Sequence, residues 1–147
     1  MKLSTKCRYG ARAILEIADN HLAGRSTKRK DITAHQGIPS SYLENILIDL
    51  RNKGLVTTER GPKGGFRLTR APGQITMLEV IKALRGASTL QAECLEEGYN
   101  CDRMSSCITH RVWAAMQQAE DDVLRSVSLE SLLKDGGKNL RFMDYVI

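Results

Sequence analysis

Only Gly37-Ile38-Pro39 separates two short apolar-periodic segments of this chain, and that break decides what the surrounding sequence can become. Gly37 can take the left-handed conformation that ends a helix, and Pro39 keeps the helix from running on. The segments on either side must therefore be two helices meeting at a tight turn. Asp31 is placed to cap the first, over residues 32–36, and Ser41 with Glu44 forms a capping box for the second. Leu43, Ile46, Leu47 and Leu50 make one apolar stripe in that second helix, which Gly54 ends. An earlier helix is predicted over residues 6–22, with Ala13, Ile14, Ile17 and Ala18 at helical spacing and a break at Gly24.

Two short helices about a glycine turn are the sequence form of a helix-turn-helix, whose second helix reads DNA. Its stripe faces inward, which leaves Ser40, Ser41, Tyr42, Glu44, Asn45, Asp49 and Arg51 on or near the outside. Asn can bond an adenine edge through two atoms, Glu can accept from a cytosine amine, and Ser or Tyr can hold phosphates. Strand-like residues 57–60 and 66–69 follow, joined by Gly61-Pro62-Lys63-Gly64-Gly65. Such a hairpin directly after a reading helix is a wing. Its glycines let the tip approach a narrow groove, and Arg60 and Lys63 supply charge for phosphates. A nucleotide-binding phosphate loop is excluded, because this loop joins two strands and lacks the Gly-Lys-Ser/Thr ending. Charge agrees with nucleic acid: residues 1–75 carry 14 Lys and Arg against 6 Asp and Glu, whereas residues 76–147 carry 8 against 11.

Beyond the wing, Thr76 and Glu79 form another capping box, opening a helix with Met77, Val80, Ile81 and Leu84 inward. Periodicity disappears between residues 87 and 106. Cys94, Cys101, Cys107 and His110 then fall in a C-x6-C-x5-C-x2-H pattern. Three thiolates and an imidazole are the ligand set of an iron–sulfur or zinc site. The spacing favours an iron–sulfur cluster over zinc, whose structural sites usually pair ligands as C-x2–4-C knuckles. Cys107 and His110, three residues apart, share one face of the next helix. There Val112, Met116, Ala119 and Val123 step by four, three and four, the pattern of a helix that packs on its own copy. A two-fold homodimer would present two reading helices to a palindromic operator in double-stranded DNA. A short final helix is expected over residues 128–134. No apolar run is long enough to span a membrane, and no signal peptide is apparent, so no membrane partner and a cytoplasmic location are expected. Reducing conditions there favour clustered cysteines as ligands before disulfides. No catalytic triad or nucleotide fingerprint is present, and no enzyme activity is expected.

Several motifs together resemble the Rrf-type winged-helix transcription regulators, and most closely the branch that controls iron–sulfur cluster assembly. They are Met1-Lys2-Leu3-Ser4-Thr5-Lys6, Ser41-Tyr42-Leu43-Glu44, Arg60-Gly61-Pro62-Lys63-Gly64-Gly65, and Cys107-Ile108-Thr109-His110 followed by Trp113. The resemblance runs from residue 1 to about 135. It implies a homodimeric DNA-binding repressor or activator, with a cluster in the loop before the dimer helix. By the same resemblance Cys94, Cys101 and Cys107 are the cysteine ligands and His110 completes a 2Fe–2S site. Ser41, Glu44, Asn45 and Arg60 fall at DNA-reading positions. The first cysteine gap is one residue longer than in that branch. A nitric-oxide-sensing branch holds a 4Fe–4S cluster with a carboxylate from the partner's first helix. Arg8 stands at about that position here and cannot ligate iron, which leaves the place to His110. Cys7 beside it is read as an inert helix residue, the alternative being a thiolate that reaches the partner's cluster.

The resulting expectation is a mainly α fold with a small β-wing. Residues 1–86 would form a winged helix-turn-helix domain, 87–107 a cluster-binding loop, 107–134 a dimerisation helix with a short final helix, and 135–147 a tail.

Overall fold

Ser4 accepts a hydrogen bond from the Cys7 amide and so opens α1 (Thr5–Leu22), the helix around which the others gather. The computed structural model describes residues 3–85, 93–95 and 98–136. The helix buries Ala13, Ile14, Ile17 and Ala18, as their spacing predicts, together with Cys7, Gly10 and Glu16. It packs against α2 (Arg29–Gln36), α3 (Ser40–Asn52), α4 (Met77–Arg85) and strand β2 (Gly65–Leu68). Each fully buried Ile or Leu contributes about 1.5–3 kcal/mol. Ile14, Ile17, Ile32, Leu43, Ile46, Leu50 and Leu84 all belong to this one core.

Gly37 ends α2 with φ 61°, the left-handed conformation expected of it. The helix starts earlier than Asp31 suggests, at Arg29. Asp31 is therefore not its cap but a first-turn acid, favourably placed at the positive end of the helix dipole. In α3 the expected Ser41–Glu44 capping box is likewise absent. Pro39 occupies the N-cap with no side-chain hydrogen bond, and its carbonyl accepts from the Leu43 amide at 2.9 Å. Ser41 is then already inside the helix, and Glu44 turns away to Arg29 of α2. The predicted stripe is correct: Leu43, Ile46, Leu47 and Leu50 are buried.

Strand β1 (Val56–Glu59) pairs antiparallel with β2 in the register Val56–Leu68 to Glu59–Gly65. Both strands start one residue before the predicted segments. Thr27 joins them as a single bridge to Phe66, so the wing is tied to the α1–α2 connection. At the tip Gly61 has φ 104°, and a Cβ on Gly64 would overlap the Glu59 carbonyl. Both glycines are thus required by the turn.

The second capping box forms as expected. Thr76 N–H donates to Glu79 Oε2 at 2.9 Å, and Glu79 N–H to Thr76 Oγ1 at 3.3 Å. Burial raises the Glu79 pKa, but the Thr76 amide and Arg70 outweigh it and hold the carboxyl below its ordinary value. A long helix, α5 (Ile108–Ser126), then leads through Ser128, the N-cap of α6 (Leu129–Asp135), back to the winged domain. Met77 N–H donates to the Val127 carbonyl at 2.8 Å, Leu129 N–H to that of Ile75 at 3.0 Å, and Leu129 is buried in the common core. The end of α5 is therefore fixed to the start of α4.

Close approach of α1 and α4 depends on Gly10, where a Cβ would overlap the side chain of buried Leu84. Gly10→Val should therefore lower stability by about 1–3 kcal/mol through overpacking, read as a lower melting temperature. A variant that melts at or above the parent temperature would show that the two helices do not meet there.

Candidate nucleic-acid interface and metal segment

The reading helix is oriented by contacts from both neighbours. Buried Glu16 of α1 accepts from Gln36 Nε2 at 2.9 Å and lies 2.7 Å from His35 Nδ1, so α2 is pinned to α1 by its last turn. Arg12 Nε adds a 3.1 Å bond to Gln36 Oε1. Lys6 of α1 forms an ion pair with Asp49 on α3, and Arg29 of α2 with Glu44 at 3.0 Å. These solvent-accessible pairs, half-buried at Lys6–Asp49 and exposed at Arg29–Glu44, are worth little as stability, about 0.2–1 kcal/mol each. Their effect is to fix which way the side chains of α3 point.

On that helix Ser40, Ser41, Glu44, Asn45 and Arg51 are exposed, and they occupy the face turned away from the core. Tyr42 is half-buried, its ring edge-on to Tyr9 with centroids 5.7 Å apart, so most of its surface serves the α1–α3 contact. Arg60 and Lys63 stand exposed on the wing beyond the strands. Glu59, at the tip end of β1, steadies the wing through Ser26 and through Arg67 at 3.3 Å. Ile48, also exposed on the outer face of α3, was absent from the expected set. Its signal was available in the spacing, since it follows Ser41, Glu44 and Asn45 at seven, four and three residues.

Around the cysteines the structure is more open. Cys107 is the N-cap of α5 and half-buried, with its thiol 3.2 Å from Thr109 Oγ1. The Thr109 hydroxyl, followed by the His110 and Thr109 amides at the helix N-terminus, pulls the thiol below its ordinary pKa. One turn on, His110 Nδ1 is buried with no hydrogen-bond partner among the described residues. Cys94 lies in a 3₁₀ turn (Glu93–Leu95) that packs against α5. Cys94 and Cys101 are half-buried, and all four cysteines are free thiols. Among the described residues no three Cys, His, Asp or Glu side chains close into one metal-binding group. Residues 86–92 and 96–97, which flank Cys94, lie outside the described residues. Cys7 is only 1% exposed, within the core of its own chain.

The donor chemistry fits a soft metal centre. An activated thiol at a helix N-terminus is a ready ligand, and a buried imidazole nitrogen with no partner costs about 1–3 kcal/mol unless something binds it.

Past this segment α5 shows an apolar face that the other described residues do not cover. Val112, Met116, Ala119 and Val123 are all exposed, and none of the helix's 19 residues is buried. Ile108, one turn before Val112 and 85% exposed, extends the stripe, and the heptad reading missed it. Two ion pairs hold α5 to α4: Arg85 with Glu120, and Lys82 Nζ with Asp121 at 3.3 Å. Among the described residues no helix is long and apolar enough to cross a membrane.

A reading helix, a charged wing and a helix with an uncovered apolar face define a winged helix-turn-helix regulator. Comparison with known proteins makes the class specific. Residues 3–135 match the Rrf2 family, described as an iron-dependent transcriptional regulator, and the chain belongs to that family. It is 36% identical over 135 residues to protein rrf2 of Nitratidesulfovibrio vulgaris, covering 92% of this chain and 89% of that one. The HTH-type transcriptional regulator IscR of Xenorhabdus nematophila is equally similar, at 36% over 135 residues, with 92% and 80% covered. Among solved structures, T. potens IscR superposes with a TM-score of 0.75 at 31% identity, covering 94% of this chain and 90% of that one. CymR, the global cysteine regulator of B. subtilis, gives 0.72 at 31% identity, with 92% and 98% covered. These relatives are transcription regulators and not enzymes, and DNA is the partner of the family's fold.

If the wing contacts phosphates, replacing both Arg60 and Lys63 by Ala should weaken binding to any duplex. The slope of log affinity against log salt should become shallower by about two, near 0.9 per lost contact. Fluorescence anisotropy over a salt series measures this, and an unchanged slope would remove the wing from the interface.

Proposed function

We propose that this chain is a homodimeric repressor that senses iron–sulfur status or redox state through a cluster held by Cys94, Cys101, Cys107 and His110. A 2Fe–2S cluster is the favoured form. The observation that carries the reading is the pair at the start of α5: an activated Cys107 thiol, and one turn later a buried His110 nitrogen without a partner among the described residues. A thiolate and a neutral imidazole on one helix face are what a mixed cysteine–histidine iron site requires. Cys7 gives no support to a four-cysteine site, because it is sealed in its own core.

In this reading residues 1–86 bind a palindromic operator, 87–107 wrap the cluster, 107–134 form the dimer helix with the short final helix, and 135–147, outside the described residues apart from 135 and 136, are a tail. Ser40, Ser41, Tyr42, Glu44, Asn45 and Arg51 of α3 meet the major groove, while Arg60 and Lys63 meet the backbone. Val112, Met116, Ala119 and Val123 pack on the same stripe of the second copy. The cluster, when bound, supplies a redox-active, acid-labile crosslink between Cys94, Cys101, Cys107 and His110. Cys107 caps α5, and α5 is held to α4 by Arg85–Glu120 and Lys82–Asp121. A change of ligation at Cys107 is therefore carried through α5 into the reading domain, and alters the distance between the two reading helices of the dimer. Half-sites must lie about one helical turn apart, about 34–36 Å, or a multiple of it, so a small shift alters affinity.

Anaerobic purification with iron, sulfide and zinc assays tests the proposal. We expect a coloured protein with about two irons and two sulfides per chain. Cys107→Ala and His110→Ala should each lose the visible bands while keeping the far-ultraviolet circular dichroism of the parent. About one zinc per chain in a colourless protein would make this a zinc-stabilised repressor. About four irons, unaffected by His110→Ala, would favour the nitric-oxide-responsive type.

A further inference from the structure

The outward face of α3 is polar except at one point. Ile48 is 39% exposed, and it stands between two shallow hollows. Lys6, Tyr42, Asn45 and Asp49 line one of them, and Arg29, Glu44 and Arg51 stand around the other. Ser41, Glu44, Asn45 and Ile48 follow one another at i, i+3, i+4 and i+7. That is the spacing of side chains that read successive bases from a helix lying in the major groove. Ile48 has neither donor nor acceptor, so it gains nothing from the polar edges of guanine, adenine or cytosine. The C5-methyl of thymine is the apolar feature of that groove. Lys6 stands at one hollow and Arg29 and Arg51 at the other; with Lys6 and Arg29 paired to Asp49 and Glu44, the ridge keeps the positive charge of Arg51, which suits a nucleic-acid occupant rather than a second apolar protein surface.

We infer that Ile48 is the apolar reader of the operator, packing on the methyl group of one thymine in each half-site. This rests on the reading that α3 enters the major groove. It adds a specificity-determining residue and the chemical group it selects. A thymine is thereby preferred over cytosine without any hydrogen bond to the base.

The test uses the purified full chain and a duplex that it selects from a random-sequence library. Each thymine of that duplex is replaced in turn by deoxyuridine, which removes the methyl and leaves every hydrogen bond in place. For the parent, one position per half-site should weaken binding about three- to fivefold, the worth of one buried methyl. In Ile48→Ala that position should become insensitive, with the other positions responding as in the parent. An exposed helix position accepts alanine without loss of fold, and thermal melting checks this directly. If deoxyuridine substitution affects parent and variant alike at every position, Ile48 does not read a methyl and this inference alone falls. If the parent enriches no sequence at all, the base-reading role of α3 falls and the assignment of Ile48 falls with it.

Discussion

The contact between α1 and α4 at Gly10 is the constraint from which the rest of the molecule follows. With no side chain there, Leu84 fills the space over α1, and α4 lies close enough to share its core. From α4 the arrangement propagates outward. Met77 and Ile75, on either side of Thr76, bond Val127 and Leu129 beyond the end of α5, while Lys82 and Arg85 grip α5 itself at Asp121 and Glu120. Arg85 and Glu120 are mostly shielded, their side chains 12% and 15% exposed. Breaking such a pair from one side leaves a desolvated charge, so the contact is harder to disturb than the surface pairs elsewhere. The helix that begins at Cys107 is thus fixed at two places to the body that carries the DNA reader.

A second set of contacts fixes the reader itself. Glu16, Arg12, His35 and Gln36 form a polar knot at the α1–α2 contact, and Glu44 and Asp49 are drawn to Arg29 and Lys6. Buried polar networks of this kind add little net stability, but they permit few alternative arrangements. The orientation of α3 is consequently set before any DNA is met. Glu44 starts in an ion pair with Arg29, so the base contact proposed for it would require exchanging Arg29 for a base amine.

Features governed by local backbone chemistry were legible from the sequence. Gly37 ended its helix in the left-handed conformation, Thr76 and Glu79 capped theirs reciprocally, and the stripe of α3 was correctly read. Where reading failed, a neighbour outside the local window decided the matter. Ser41 lost its capping role because the fixed φ of Pro39 suits a position just outside the helix, which starts α3 earlier. The return of α6 to the core through Leu129 depends on pairing with residues some fifty positions earlier, which no periodicity reports. Ile48 follows Ile46 and Leu47 in one apolar run, and Ile108 lies beyond the heptad positions; the folded surface shows that the other described residues leave both exposed. For the proposed metal segment, the candidate ligand types are plain in the sequence. The buried nitrogen of His110, without a hydrogen-bond partner among the described residues, is visible only with α5 in place.

Coupling between the Cys107 segment and DNA binding is most directly measured as operator affinity of one anaerobic preparation, before and after a chelator removes the iron of the proposed cluster. With α5 joined to the reading domain as described, we expect the dissociation constant to change by about tenfold or more. Identical affinities for the loaded and stripped protein would contradict that coupling.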